Sequence, residues 1–145
     1  MNMFTVLGIG GAFLAMSVLA MAGTEGAAKK PDTTGMTELP SGLKYRVMKE
    51  GTGAIPKASD QVEVHYRGTF MTGEEFDSSY ARGTPAVFGV TQVIKGWTEA
   101  LQLMKTGSKW EVFIPFVLAY GEKGRPPVIP PMSPLFFEIE LISIK

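Results

Sequence analysis

Apolar and polar residues alternate with a period of two at four places along the chain. Leu43, Tyr45 and Val47 are interleaved with Lys44 and Arg46, and Val62, Val64 and Tyr66 with Glu63, His65 and Arg67. Trp110, Val112 and Ile114 form a third run that stops at Pro115, and Phe137, Ile139 and Leu141 a fourth, separated by Glu138 and Glu140. Because successive side chains of a strand point to opposite faces, each run predicts a half-buried antiparallel strand with one dry face. The last run ties the C-terminal stretch into the sheet. One stretch carries the other period: Trp97, Leu101 and Met104, with Gly96 ahead and Gly107 placed to end it, predict a single short helix with one face on the sheet. Residues 121–134 contain five prolines and two glycines and predict an extended surface loop of fixed shape.

Ahead of these runs the texture changes. Residues 1–22 carry no charge and end in Ala20-Met21-Ala22 before Gly23, the small-x-small pattern of a secretory signal peptide, with a mature chain starting near Gly23. The apolar run also approaches the ~20 residues that span a bilayer, so an uncleaved membrane anchor is the second reading. Its glycines and its lack of a charged face disfavour a buried core helix. Either favoured reading places the protein outside the cytoplasm, in a periplasm, an organelle lumen or the medium, and the second tethers it to a membrane. Residues 23–38, almost without large apolar side chains, predict a flexible linker. Residues 39–145 are left as one folded α+β domain.

The chain's 145 residues, 45% of them hydrophobic, suffice for one core. Lys plus Arg and Asp plus Glu both number 14, so no summed field directs the chain to nucleic acid. The absence of cysteine excludes disulfides and thiolate chemistry. The one imidazole, His65, falls on the polar face of a strand, which leaves no base for a hydrolytic triad and no ligand set for zinc. No phosphate loop is present, since Gly8 to Gly11 lies in the N-terminal segment. Glu74 and Glu75 follow Met71-Thr72-Gly73 and read as the solvated rim of a hairpin turn, not as the acid pair of a glycosidase. Neither a metal nor a cofactor is expected.

Several segments then stand in one order: Val64-His65-Tyr66-Arg67-Gly68, Gly73-Glu74-Glu75-Phe76-Asp77-Ser78-Ser79, Val93-Ile94-Lys95-Gly96-Trp97, Leu118-Ala119-Tyr120-Gly121, Ile129-Pro130-Pro131 and Phe137-Glu138-Ile139-Glu140-Leu141. Singly, Trp97, Val93 and Phe137 would be core packing, Asp77 a turn residue and Tyr120 a buried aromatic. Jointly, over residues 39–145, they resemble the FKBP-type peptidyl-prolyl cis-trans isomerases, the immunophilins that bind macrolides such as tacrolimus. The opening Leu39-Pro40-Ser41-Gly42-Leu43-Lys44-Tyr45 and Gly51-Thr52-Gly53 are most similar to the bacterial and secreted branch related to macrophage infectivity potentiators.

The resemblance implies an antiparallel sheet wrapped around one short helix, with an apolar pocket between them. Trp97 would be the pocket floor, Tyr66, Phe76, Val93, Ile94, Ile129 and Phe137 its walls, and Asp77 and Tyr120 its polar rim. The Ile94 backbone N–H would donate to a substrate carbonyl. Asp77, Tyr120, Phe76 and Trp97 would carry the rotation of X-Pro bonds in proline-containing polypeptides, without cofactor, and tacrolimus-type macrolides would inhibit it. The long helical dimerisation region of many relatives is missing, so a monomer is expected. Two departures stand out: Ala86 replaces a common aromatic residue, with Phe88 in position to fill the gap, and Gly124-Arg125-Pro126-Pro127-Val128 replaces a glycine-rich loop, bringing Arg125 toward substrate. A membrane-tethered binding or assembly module of the same fold, with little activity, is the alternative.

Overall fold

The computed structural model describes residues 30–145; the segment 1–22 and the first part of the linker lie outside the described residues. Seven strands form one antiparallel sheet: β1 (Thr37–Glu38), β2 (Lys44–Lys49), β3 (Gln61–Phe70), β4 (Glu75–Ser78), β5 (Ala86–Gly89), β6 (Lys109–Ile114) and β7 (Leu135–Ile144). Their order is β1-β2-β6-β7-β3-β4, with β5 also paired to β3. One side of β3 is covered by β7 along nearly its whole length, while the other is shared: Gln61 to Val64 pair with β5, and Arg67 to Thr69 with β4. This division lets one strand feed side chains to the core from the middle of the sheet.

The alternating positions face inward as their pattern predicts: Leu43, Val62, Val64, Tyr66, Trp110, Val112, Ile114, Phe137, Ile139 and Leu141 are all buried. Val47 departs from this and is 41% exposed. It lies where the β2–β6 register shifts, between Val47 and Lys49. The predicted helix is present as α2 (Lys95–Leu101), shorter than its pattern suggested. Met104 is buried beyond its end, its N–H donating to the Ala100 carbonyl at 3.1 Å, and Gly107 turns the chain at φ 95° into β6. A second helical turn, α1 (Ser79–Arg82), has no apolar period and forms because the Ser78 hydroxyl accepts the Ala81 N–H and Gly83 closes it in the left-handed region.

Two expectations drawn from composition need revision. Within residues 23–38, the part from Lys30 onward is not free linker: Thr37 and Glu38 pair with β2, and the Arg46 guanidinium, ion-paired with Glu111, donates to the carbonyls of Asp32 at 3.0 Å and Thr34 at 2.8 Å. Backbone carbonyls need no apolar side chain to be held, so hydropathy carries no trace of this anchor. The loop 121–134 is folded back and not extended. Arg125 and Ile129 exchange backbone hydrogen bonds of 2.7 and 2.9 Å, and Ile129 is fully buried. The Met71-Thr72-Gly73 turn forms as expected, closed by the Gly73 N–H on the Phe70 carbonyl at 2.9 Å.

Two glycines set how closely these layers approach. A Cβ on Gly96 would lie 2.6 Å from Ile114 Cγ2, so the first turn of α2 presses on β6 as only glycine allows. A Cβ on Gly68 would lie 2.6 Å from Phe137 Cε1 and 2.8 Å from Phe76 Cζ. Gly68→Ala is therefore expected to force both rings aside and lower stability by about 1–3 kcal/mol in urea unfolding; an unchanged midpoint would show that the rings yield freely.

Candidate active site

Strand pairing brings aromatic rings from four elements around the Trp97 indole at the start of α2. Tyr66 of β3, Phe137 of β7 and Phe88 of β5 meet it at centroid distances of 5.2, 5.3 and 5.7 Å and interplanar angles of 84°, 88° and 89°. Phe76 of β4 reaches Phe137 at 5.6 Å and 87°. Near-perpendicular packing sets the positive edge of one ring against the negative face of another and adds to the burial of a large apolar area. Trp97 Nε1 is buried with no hydrogen-bond partner among the described residues. Four predicted residues, Tyr66, Phe76, Trp97 and Phe137, are thus brought together. Phe88 joins them through its contacts with Tyr66 and Trp97.

Against this apolar floor stands one buried carboxylate. Asp77 is 3% exposed. The Tyr66 hydroxyl donates to its Oδ2 at 2.8 Å, and the Arg82 guanidinium donates to its Oδ1 at 3.0 Å and to the Tyr66 oxygen at 3.1 Å. Burial, which penalises the charged form, pushes the Asp77 carboxyl up to about 6, and the hydrogen bonds from Tyr66 and Arg82 offset only part of that rise. The Tyr66 hydroxyl is held above its ordinary range, chiefly by burial and then by the Asp77 charge. Arg82 has no role in the pattern reading; it sits five positions beyond Asp77, and α1 turns it back. Ser79 also escapes that reading: its Oγ accepts the Tyr66 N–H at 2.7 Å and lies 2.8 Å from His65 Nδ1, while His65 stacks on Tyr80 at 4.6 Å. The imidazole is thus engaged in structure.

The other predicted site residues lie on loops and element ends. Tyr120 follows a 3-10 turn at Phe116–Leu118. Burial raises its hydroxyl above the usual range; the nearby Arg125 charge opposes this, and Asp77 and Tyr66 add to it. Tyr120 thus lies in the fields of both Asp77 and Arg125, and the Arg125 guanidinium is 6.0 Å from its ring centroid. Ile129 is fully buried, and Val93 and Ile94 are partly buried against the core. Ile94 is the N-cap of α2, its carbonyl accepting from Trp97 and Thr98 N–H at 3.0 and 3.1 Å. No cluster of three His, Asp or Glu side chains suited to a metal occurs, and no helix is long and apolar enough to cross a membrane, among the described residues.

Comparison with known proteins agrees with this architecture. Residues 53–142 match the family described as FKBP-type peptidyl-prolyl cis-trans isomerase. The chain is 52% identical to the FKBP-type 22 kDa peptidyl-prolyl cis-trans isomerase of Escherichia coli over 91% of its own length and 63% of that protein's. It is 54% identical to the outer membrane protein MIP of Legionella longbeachae over 77% of its length and 48% of that protein's. It therefore spans between about half and just under two thirds of these relatives. Among solved structures, a peptidyl-prolyl cis-trans isomerase from Pseudomonas syringae superposes with a TM-score of 0.72 at 42% identity, covering 92% of this chain and 94% of that one. FkpA from Escherichia coli gives 0.74 at 43% identity, covering 89% and 59%.

The Asp77 carboxyl binds its proton more tightly in the folded chain than in the unfolded one, where its pKa is about 3.9. Its contribution to stability is therefore complete below about pH 4 and is lost as pH rises through about 6. Asp77→Asn has no proton to lose there. Urea unfolding across this window is expected to show the wild type losing on the order of 3 kcal/mol relative to Asp77→Asn; parallel profiles would refute the assignment.

Proposed function

The chain belongs to the FKBP-type peptidyl-prolyl cis-trans isomerases, and from that membership we propose that it accelerates rotation about X-Pro bonds in polypeptides, with the Trp97 pocket as the catalytic site. A planar peptide bond resists rotation by about 18–20 kcal/mol, and an X-Pro bond left to itself takes tens of seconds or longer. At the twisted transition state amide resonance is lost, the carbonyl carries less charge and the nitrogen becomes pyramidal. That form depends less on water than the planar one, so a dry aromatic pocket favours it. The proline ring rests on the Trp97 indole between Tyr66, Phe76 and Phe137, with Ile129 and Val93 closing the sides. The Ile94 N–H takes a substrate carbonyl, and Asp77 and Tyr120 face the rotating amide. No proton transfer is required, and no metal or cofactor takes part.

The observation that carries this reading is the conjunction of an indole ringed at right angles with a buried carboxylate fixed by Tyr66 and Arg82. A scaffold needing only a core has no use for the carboxylate, which disfavours the inactive binding module. Arg125 beside Tyr120 supports a role in contacting substrate. The apolar residues 1–22 and the likeness to an outer membrane protein support an extracytoplasmic location, as a secreted monomer or a tethered one. Tacrolimus-type macrolides are the expected inhibitors.

The full chain is expected to accelerate isomerisation of a short X-Pro peptide, with tacrolimus abolishing the acceleration. Asp77→Ala and Tyr120→Phe are each expected to lower kcat/KM by roughly tenfold, the worth of about 1.4 kcal/mol at the transition state. A folded but inactive wild type would transfer the function to the binding module.

A further inference from the structure

β3 has a gap in its partners at Tyr66. On the edge away from β7, Gln61 to Val64 pair with β5 and Arg67 to Thr69 with β4, which leaves His65 and Tyr66 without a strand. The ladder is irregular on both flanks as well: the register shifts against β7 between Glu63 and Val64, and against β4 between Gly68 and Thr69. One side chain closes the gap. Ser79, fully buried at the start of α1, accepts the Tyr66 N–H on its Oγ at 2.7 Å and lies 3.3 Å from the Tyr66 carbonyl oxygen. The same Oγ is 2.8 Å from His65 Nδ1. Its one proton serves either the carbonyl or the imidazole, and in both arrangements the oxygen keeps the Tyr66 N–H.

The side chain carried by that peptide group reaches the centre of the site. The Tyr66 ring meets the Trp97 indole at 84°, and its hydroxyl donates to Asp77 Oδ2 and accepts from Arg82. The hydroxyl lies at the far end of a rigid ring, so a small turn of the main chain becomes a larger displacement at the oxygen. Hydrogen bonds weaken steeply with misalignment, and a displacement of about 1 Å beside the reacting group can cost on the order of a hundredfold in rate.

We propose that Ser79 is a positioning residue for the isomerase reaction: its hydroxyl stands in for the missing strand, locks the Tyr66 main chain and thereby aims the Tyr66 hydroxyl at Asp77. The proposal rests on the reading of the Trp97 pocket as the X-Pro site. Ser79 touches no substrate in it and acts through Tyr66. The plainer role, satisfying a buried N–H and completing α1, would reach Asp77 through Arg82 instead. Of the ionisable groups acting on the Asp77 carboxyl, Tyr66, Arg82 and Tyr120, only Tyr66 is bonded to Ser79.

The full chain supplies the test. In the wild type, which needs no substitution, the Tyr66 amide is expected to exchange with deuterium as slowly as the strand-paired amides of β3; fast exchange removes the clamp. Ser79→Ala is expected to lower kcat/KM on a short X-Pro peptide roughly tenfold. It is also expected to raise the midpoint of the Asp77 carboxyl, followed by its carbon-13 resonance, from about 6 by roughly half a pH unit, because the Tyr66 hydrogen bond that lowers it is weakened. Tyr66→Phe raises the midpoint too, and Ser79→Ala added to Tyr66→Phe is expected to raise it no further. An equal rise on that background assigns the effect to Arg82 and overturns the proposal, as does an unchanged midpoint or full activity in Ser79→Ala. His65→Phe keeps a ring on Tyr80 while withdrawing the imidazole from Ser79, and is expected to match the wild type in activity and midpoint; a fall equal to that of Ser79→Ala would mean that packing, not the hydroxyl, is responsible. A wild type inactive on the peptide overturns the isomerase reading instead, and the Asp77 titrations still decide whether Ser79 aims Tyr66.

Discussion

The right-angled packing of three rings on Trp97 is the constraint from which the rest of this domain follows. It requires β3, β5, β7 and α2 to converge on one indole, and they can do so only because β3 divides its free edge between β4 and β5 while β7 covers the other. Gly96 sets the depth of the helix against β6, and Gly68 leaves room for Phe76 beside Phe137. Ring geometry at this density tolerates little displacement, since interiors pack as tightly as organic crystals. The ring cluster and the core of the domain are thus the same set of atoms.

Rings packed this densely exclude water, and that exclusion governs the electrostatics beside them. Asp77 is brought in next to the rings by β4 and is kept in place by two donors, the Tyr66 hydroxyl and the Arg82 guanidinium. Neither donor fully cancels the desolvation penalty, so the carboxyl is easier to protonate than one in water. The hydrogen bonds to this carboxyl are stronger in such surroundings than they would be at a surface, because little solvent remains to screen them. Tyr120, lying in the fields of both Asp77 and Arg125, marks the boundary between this interior and the charged rim.

Much of this was legible in the chain because burial imprints periodicity. The alternation from Val62 to Tyr66 and from Phe137 to Leu141 gave the two central strands, and Trp97, Leu101 and Met104 gave the helix face. What escaped was held by backbone or by distance. The pairing of Thr37 and Glu38 rests on two residues and on Arg46 reaching main-chain carbonyls, neither of which leaves a hydropathy signature. Arg82 acquires its role only when α1 turns it back on Asp77, and Ser79 only when that turn meets β3. The loop 121–134 looked open because proline and glycine dominate its composition, yet one buried isoleucine and two hydrogen bonds fold it over. The residues proposed for the site stood out through the ordered motifs they share with a family, not through their spacing alone.

The placement of β7 governs when the domain can assemble. Leu135–Ile144 lies between β6 and β3, so without it the sheet is two separate pieces, β2 with β1 and β6 on one side and β3 with its hairpin partners on the other. A chain emerging residue by residue from a ribosome can form local turns and the β3–β4 hairpin, but cannot join the halves until that stretch is clear. The pairings that close the sheet are long-range and correspondingly slow to form. Until then Trp97 lacks Phe137, and the ring cluster at the centre of the domain stays incomplete.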